Sequence, residues 1–172
     1  MASKTFRNLP NAKKERIDQA LLTEFSTHKL ASAQVARIVK NADIARGAFY
    51  KYFTDLADAY RYLFIKAVKE IHTNIRPNGK YAATLFYQQV QDFLNQVQDS
   101  KYLPLIKMHF AHNEQEMPVA MNSNFNLTAA NWAAMVLSHE VIKMVLLNPH
   151  EQASYLDRFK QSLLLLAKGE NK

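Results

Sequence analysis

The 172-residue chain contains no cysteine. That absence excludes a disulfide framework, a thiolate metal site and a cysteine nucleophile, and it points to a reducing, intracellular setting. Glycine is nearly as scarce: Gly47, Gly79 and Gly169 are too few and too scattered to cradle a phosphate or form a dinucleotide fingerprint. Nucleotide-dependent chemistry is disfavoured accordingly. The five prolines, at positions 10, 77, 104, 118 and 149, leave long unbroken stretches, and none of these alternates with the two-residue period of a strand. Met1-Ala2-Ser3-Lys4 does not open a continuous apolar run of the signal-peptide kind. No later segment is expected to reach the length of a membrane span, so the sequence predicts a soluble, cytoplasmic protein without a membrane partner.

Positive charge is present in excess and placed unevenly. The formal net charge is +7; residues 1–54 carry ten Lys/Arg against four Asp/Glu, whereas residues 55–172 carry twelve against eleven. A basic module joined to a near-neutral body is the electrostatic footprint of a nucleic-acid reader.

Helical spacing of apolar residues dominates. A first helix is expected from about Asn11 to Phe25, with Ile17, Leu21 and Phe25 stacked at i, i+4 steps. A second is expected after Ser32 as N-cap, with Val35, Ile38 and Val39 inward, ending near Asn41. Residues Asn41 to Ile44 then form a tight turn in which Asn or Asp can take the left-handed backbone. A third short helix spans about Ala45 to Phe53. Asp55 and Asp58 start a fourth, reaching about Ile75, as a cap and a favourable charge near its N-terminus. Pro77 and Gly79 mark the best boundary in the chain. Further helices are expected over Tyr81 to Gln98, Leu103 to His112, Leu127 to Leu147, and from Asn148 as cap with Pro149 at the first helical position.

Two short helices joined by a turn, preceded by an amphipathic helix in a basic region, match the outline of a helix-turn-helix. The run ARGAFYKYF at residues 45–53 sharpens it. Through Gly47, Phe49, Tyr50, Tyr52 and Phe53, residues 9–65 resemble the DNA-binding domain of the TetR family of transcriptional regulators.

That resemblance implies an all-α fold with an N-terminal three-helix DNA-binding domain over residues 1–54, linked through a helix over 55–75 to an effector-binding and dimerisation domain over 76–172. It implies base-edge contacts from Arg46, Gly47 and Ala48 and phosphate contacts from Tyr50 and Lys51, with Ala45, Tyr52 and the Ser32, Ala33, Gln34 segment on the same DNA-facing surface. Arg46 can pair with guanine through two hydrogen bonds, and Gly47 and Ala48 permit close approach or contact with a thymine methyl. Phe49 and Phe53 are expected in the core against Ile17, Leu21 and Ile38. The chain departs from the family pattern at Asp43, Ala45 and Leu56, where glycine, serine and lysine are common.

The helix over 127–147 and the final helix carry apolar residues on more than one face, so a monomer would expose a large apolar patch. A two-fold homodimer pairing these two C-terminal helices into a four-helix bundle would bury it and present two reading heads to a palindromic operator in double-stranded DNA. The resemblance further implies a repressor released by a small-molecule inducer. Phe86, Phe93, Met108, His109, Trp132, Met135 and His139 are the candidate pocket residues, although aromatics and methionines at helical spacing also serve as core. The alternative is a co-regulator acting through protein contacts without binding an operator. His109, His112 and Glu116 have a spacing that permits metal ligation, but capping and surface roles explain them as well. No nucleophile, base and orienting group stand out as a catalytic set, so neither an enzyme nor a cofactor is expected.

Overall fold

The computed structural model describes residues 2–71, 81–115 and 127–170. Among these every regular element is helical: α1 (Lys4–Arg7), α2 (Asn11–Thr27), a 3-10 turn (Leu30–Ser32), α3 (Val35–Ala42), α4 (Arg46–Tyr52), α5 (Leu56–Ile71), α6 (Ala83–Gln98), α7 (Leu103–Met108) continued by a π-helical turn (His109–Asn113), α8 (Ala129–Leu147), a 3-10 turn (Pro149–Glu151) and α9 (Gln152–Glu170). The expected boundary at Pro77 and Gly79, and the segment around Pro118, lie outside the described residues.

Contacts divide the chain into two units. The first comprises the described parts of Met1–Glu70 and Lys101–Val119; the second comprises those of Ile71–Ser100 and Ala120–Lys172. The division differs from the expected split into residues 1–54 and 76–172, because α7 returns to pack on α2. Leu105 and Ile106 are buried there, and the N–H of Leu30 donates to Asn113 Oδ1 at 2.9 Å across eighty-three positions of sequence. Local periodicity cannot report such a long-range return.

In the first unit α2 packs on α3 and α7. Ile17, Leu21, Phe25, Ile38, Phe49 and Phe53 are all within 2 % of full burial, which bears out the expected core. Each such side chain contributes about 1.5 to 3 kcal/mol of transfer free energy. Phe6 joins them from α1, an element too short to show a period. Ser3 caps it, accepting the N–H of Phe6 at 3.2 Å, and Phe6 packs against the rings of Tyr52, Phe53 and Tyr62. Two hydrogen bonds fasten α1 to the end of α4: Ser3 N–H to Tyr52 O at 3.0 Å, and Ser3 Oγ to Lys51 O at 2.8 Å.

Several helix starts follow the sequence and one does not. Asp55 Oδ1 accepts the N–H of Asp58 at 2.7 Å and Asp58 Oδ2 accepts the N–H of Thr54 at 3.2 Å, so this pair of acids starts α5 as expected. Ser32 does not cap α3. It sits in the 3-10 turn with its hydroxyl directed to Lys29 O at 3.1 Å, and α3 starts at Val35 after Gln34. The Gln34 N–H is instead taken by Glu24 Oε1 of α2 at 2.7 Å, so the capping oxygen comes from another helix.

In the second unit α6, α8 and α9 pack on one another. Thr128 caps α8 by accepting the N–H of Asn131 at 3.2 Å. Asn148 makes no side-chain cap bond, and Pro149 opens a 3-10 turn rather than α9 itself. By length and composition α8 could cross a membrane, with a mean hydropathy of 1.2 over its window, contrary to the expectation from sequence. Its apolarity has a use within the unit, where Ala130, Ala134, Val141, Ile142, Val145 and Leu146 are buried.

Candidate nucleic-acid interface

The geometry of the first unit starts at Asp43. Its φ of 51° and ψ of 58° make it the one non-glycine residue of positive φ among the described residues, and it ends α3 in the left-handed conformation expected of the turn. The N–H groups of Asp43 and Ile44 turn back to Lys40 O at 3.4 Å and Val39 O at 3.1 Å, which close the helix end. After Ile44 and Ala45, α4 begins at Arg46. Ala45 precedes it without a side-chain cap, and Ala48 N–H reaches Ala45 O at 2.9 Å.

A seven-residue helix has one face to bury and one to present. Phe49 is fully buried, whereas Arg46, Gly47, Tyr50 and Lys51 are exposed and Ala48 is half-buried. The Tyr50 ring is held edge-on to Phe49 with centroids 5.3 Å apart, and the Arg46 guanidinium lies 6.0 Å from the Tyr50 centroid. Ser32 and Gln34 are exposed and Ala33 half-exposed at the start of α3. A hollow of about 470 Å³ lined by Leu30, Val35, Tyr50, Asp55 and Leu56 brings the approaches to α3 and α5 beside the outer face of α4.

Gly47 is the informative residue. A Cβ built on it meets nothing within 4 Å, and it needs no positive φ. Glycine inside a helix costs about 1 kcal/mol relative to alanine. Among the described residues nothing requires that cost, and the bare backbone leaves room for another surface to approach closely.

Tyr52 faces inward. Expected at the surface, it is 5 % exposed and packs edge-to-face on Phe6 at 5.7 Å. The aromatic run at 49–53 places Phe49, Tyr52 and Phe53 together on the inner side, and α1 covers Tyr52 through Phe6.

Glu24 was not singled out from the sequence. It is 2 % exposed and receives Arg37 Nε at 3.1 and 2.8 Å and Arg37 Nη2 at 2.6 Å. Arg37 Nη2 also donates to Ser32 O at 3.0 Å. Burial pushes the Glu24 carboxyl up, but the Arg37 hydrogen bonds, the Gln34 N–H and the charges of Arg37 and His28 outweigh it and hold it below its ordinary 4.5. The signal was legible: a glutamate stands at i+3 from Leu21 and i+7 from Ile17 in an otherwise apolar stripe.

The seven expected pocket residues are divided between the two units. Met108 and His109 belong to the first unit, where His109 is buried, lies 3.1 Å from the Tyr60 hydroxyl through Nδ1 and packs on Phe64 at 4.0 Å. Phe86 and Phe93 are buried in α6, Met135 is half-buried, and Trp132 and His139 are exposed on α8. A depression of about 140 Å³ in the second unit is lined by Leu137, Val141, Met144, Tyr155, Arg158 and Phe159, and includes none of them. Glu116 lies outside the described residues, and among those described no three metal-ligating side chains come together.

No family model and no curated protein match the chain. Solved structures do. A TetR family transcriptional regulator from Chloroflexus aurantiacus J-10-FL superposes with a TM-score of 0.51 at 22 % identity, covering 98 % of each chain. A TetR transcriptional regulator from Rhodococcus sp. RHA1 superposes with a TM-score of 0.52 at 15 % identity, covering 92 % of this chain and 98 % of that one. The all-α fold is that of the TetR regulators.

Proposed function

We propose that the chain is a sequence-specific, DNA-binding transcriptional regulator working as a cytoplasmic homodimer, and that it is a repressor released by a small molecule. The observation that carries the reading is the outer face of α4. An unobstructed glycine is flanked by Arg46, Tyr50 and Lys51 on a helix held from behind by Phe49 and Phe53. A rigid short helix with a bare backbone patch and cations beside it suits the major groove, where the arginine reads guanine and Lys51 meets phosphate.

Pairing follows from the second unit. Trp132, Val136, Leu137, Leu164 and Leu165 of α8 and α9 are large apolar side chains left exposed. Packing α8 and α9 against their symmetry mates would cover them in a four-helix bundle. Two reading heads about 34 to 36 Å apart would then meet successive major-groove faces of a palindrome.

Selection of duplexes from a random pool by the purified protein, followed by titration at several salt concentrations, tests the reading. Enrichment of a palindrome, with affinity falling steeply as salt rises, is the expected result. Folded dimer that enriches nothing at about 50 mM salt would sink it in favour of a co-regulator acting by protein contacts. The uncapped Ala45 is the feature that this second reading rests on.

A further inference from the structure

The first unit has a second concave surface, remote in character from the face just described. It is a groove of about 520 Å³ between α1 and α5, lined by Ala2 and Arg7 and by Arg61, Tyr62, Ile65, Lys66, Lys69 and Glu70. Beyond DNA reading, we infer that this groove binds an apolar anion, a carboxylate carrying a hydrocarbon or aromatic body.

The lining has two halves that a single ligand of that class would satisfy. Arg61, Ile65 and Lys69 follow one another at i, i+4 and i+8, so they form one line along α5, about 12 Å from end to end. Ile65 in the middle is 40 % exposed, and the Tyr62 ring beside it is fixed by Phe6, centroids 5.0 Å apart. Arg7 faces the line from α1. Among the described residues none of Arg7, Arg61 and Lys69 has a carboxylate within ion-pair distance.

The neighbouring charges are already committed. Lys66 Nζ lies 2.6 Å from Asp18 and 3.7 Å from Glu70, and Glu70 Oε2 accepts the Tyr102 hydroxyl at 2.8 Å. The lining's one acid is thus held by its own partners, and three cations remain around an exposed isoleucine. A phosphate backbone would answer the cations and leave the isoleucine unused; a neutral hydrocarbon would do the reverse. An amphipathic anion uses both, and the volume falls within the range of small-molecule sites. Charge complementarity selects the sign of the ligand, and Ile65 with Tyr62 selects its apolar body.

Methyl NMR of the isoleucine-labelled full-length protein tests this directly, with Ile65 assigned through Ile65→Val and decanoate as the probe. This binding does not depend on the DNA-reading proposal, and no operator is needed to observe it. The expected result is a saturable shift of the Ile65 methyl below about 1 mM decanoate. Acetate and decanol at the same concentrations should leave the methyl unmoved. Arg61→Gln with Lys69→Gln should weaken decanoate by about tenfold or more, with the thermal midpoint unchanged because both side chains are exposed. An absent shift, equal response to decanol, or undiminished affinity in the double variant would each overturn the assignment. Displacement of decanoate by a random-sequence duplex at low salt would also overturn it, giving the groove to nucleic-acid phosphate.

Discussion

Arg37 grips Glu24 through both of its carboxylate oxygens, at 2.6 to 3.1 Å, and the same glutamate receives the N–H of Gln34 that opens α3. One buried acid therefore joins the end of α2, the start of α3 and, through Arg37, the carbonyl of Ser32. Glu24→Gln keeps an acceptor and loses the charge, and should destabilise by about 1 to 3 kcal/mol in denaturant unfolding.

The same residue sets an acid limit. Its carboxyl is held below the ordinary 4.5, so the stability it supplies is complete above that value and is lost as pH falls through the lower folded-state value. Thermal midpoints of the wild type should fall on acidification below about 4.5, and those of Glu24→Gln should fall less over the same interval. Parallel curves for the two proteins would refute the assignment.

Gly47→Ala should separate stability from function. A methyl there meets nothing and helix propensity improves, so the thermal midpoint should rise, by the equivalent of about 0.5 to 1 kcal/mol. Affinity for a selected duplex should fall in the same variant. If affinity is retained, close approach at Gly47 is not used.

Arg46, Tyr50 and Lys51 should divide their labour. Lys51→Ala and Tyr50→Ala are expected to weaken all duplexes alike, and the lysine change should reduce the salt slope by about one. Arg46→Ala should cost about 1 to 3 kcal/mol on the selected site and relax the preference at one base pair. Binding to a panel of single-base variants distinguishes these outcomes, and uniform loss after Arg46→Ala would contradict base reading.

Asp43 carries a backbone that β-branched residues avoid. Asp43→Val should destabilise by about 1 to 2 kcal/mol, while Asp43→Gly should be neutral or stabilising. Chemical denaturation of the two variants measures this, and equal stability would mean the turn can relax.

Leu165, 67 % exposed on α9, should report on pairing. Leu165→Glu places charges in the proposed two-fold interface and should shift sedimentation towards the monomer while helical content is unchanged. A dimer that survives it has another interface.

The stretch from α2 to α5 was legible in the sequence because its signals are local. The 3.6-residue period around Ile17 and Ile38, the left-handed tolerance of Asp43 and the aspartate pair before α5 each act within a few residues. What escaped was either too short or too distant. Four residues of α1 show no period, and Tyr52 became core only because that helix covers it. The Glu24 cap for α3 sits ten positions upstream, and α7 reaches the first unit from beyond residue 100. The expected pocket residues divide between the two units because methionines and aromatics at helical spacing carry no record of which unit they join.

The hydrogen bond from Leu30 to Asn113 bears on how such proteins can be recombined. A graft that transplants the first seventy residues onto a foreign body would leave behind Leu105, Ile106 and Asn113, and with them part of the support of α2. A working chimera has to take two strips of gene instead of one, so the first unit is not exchanged by a single crossover.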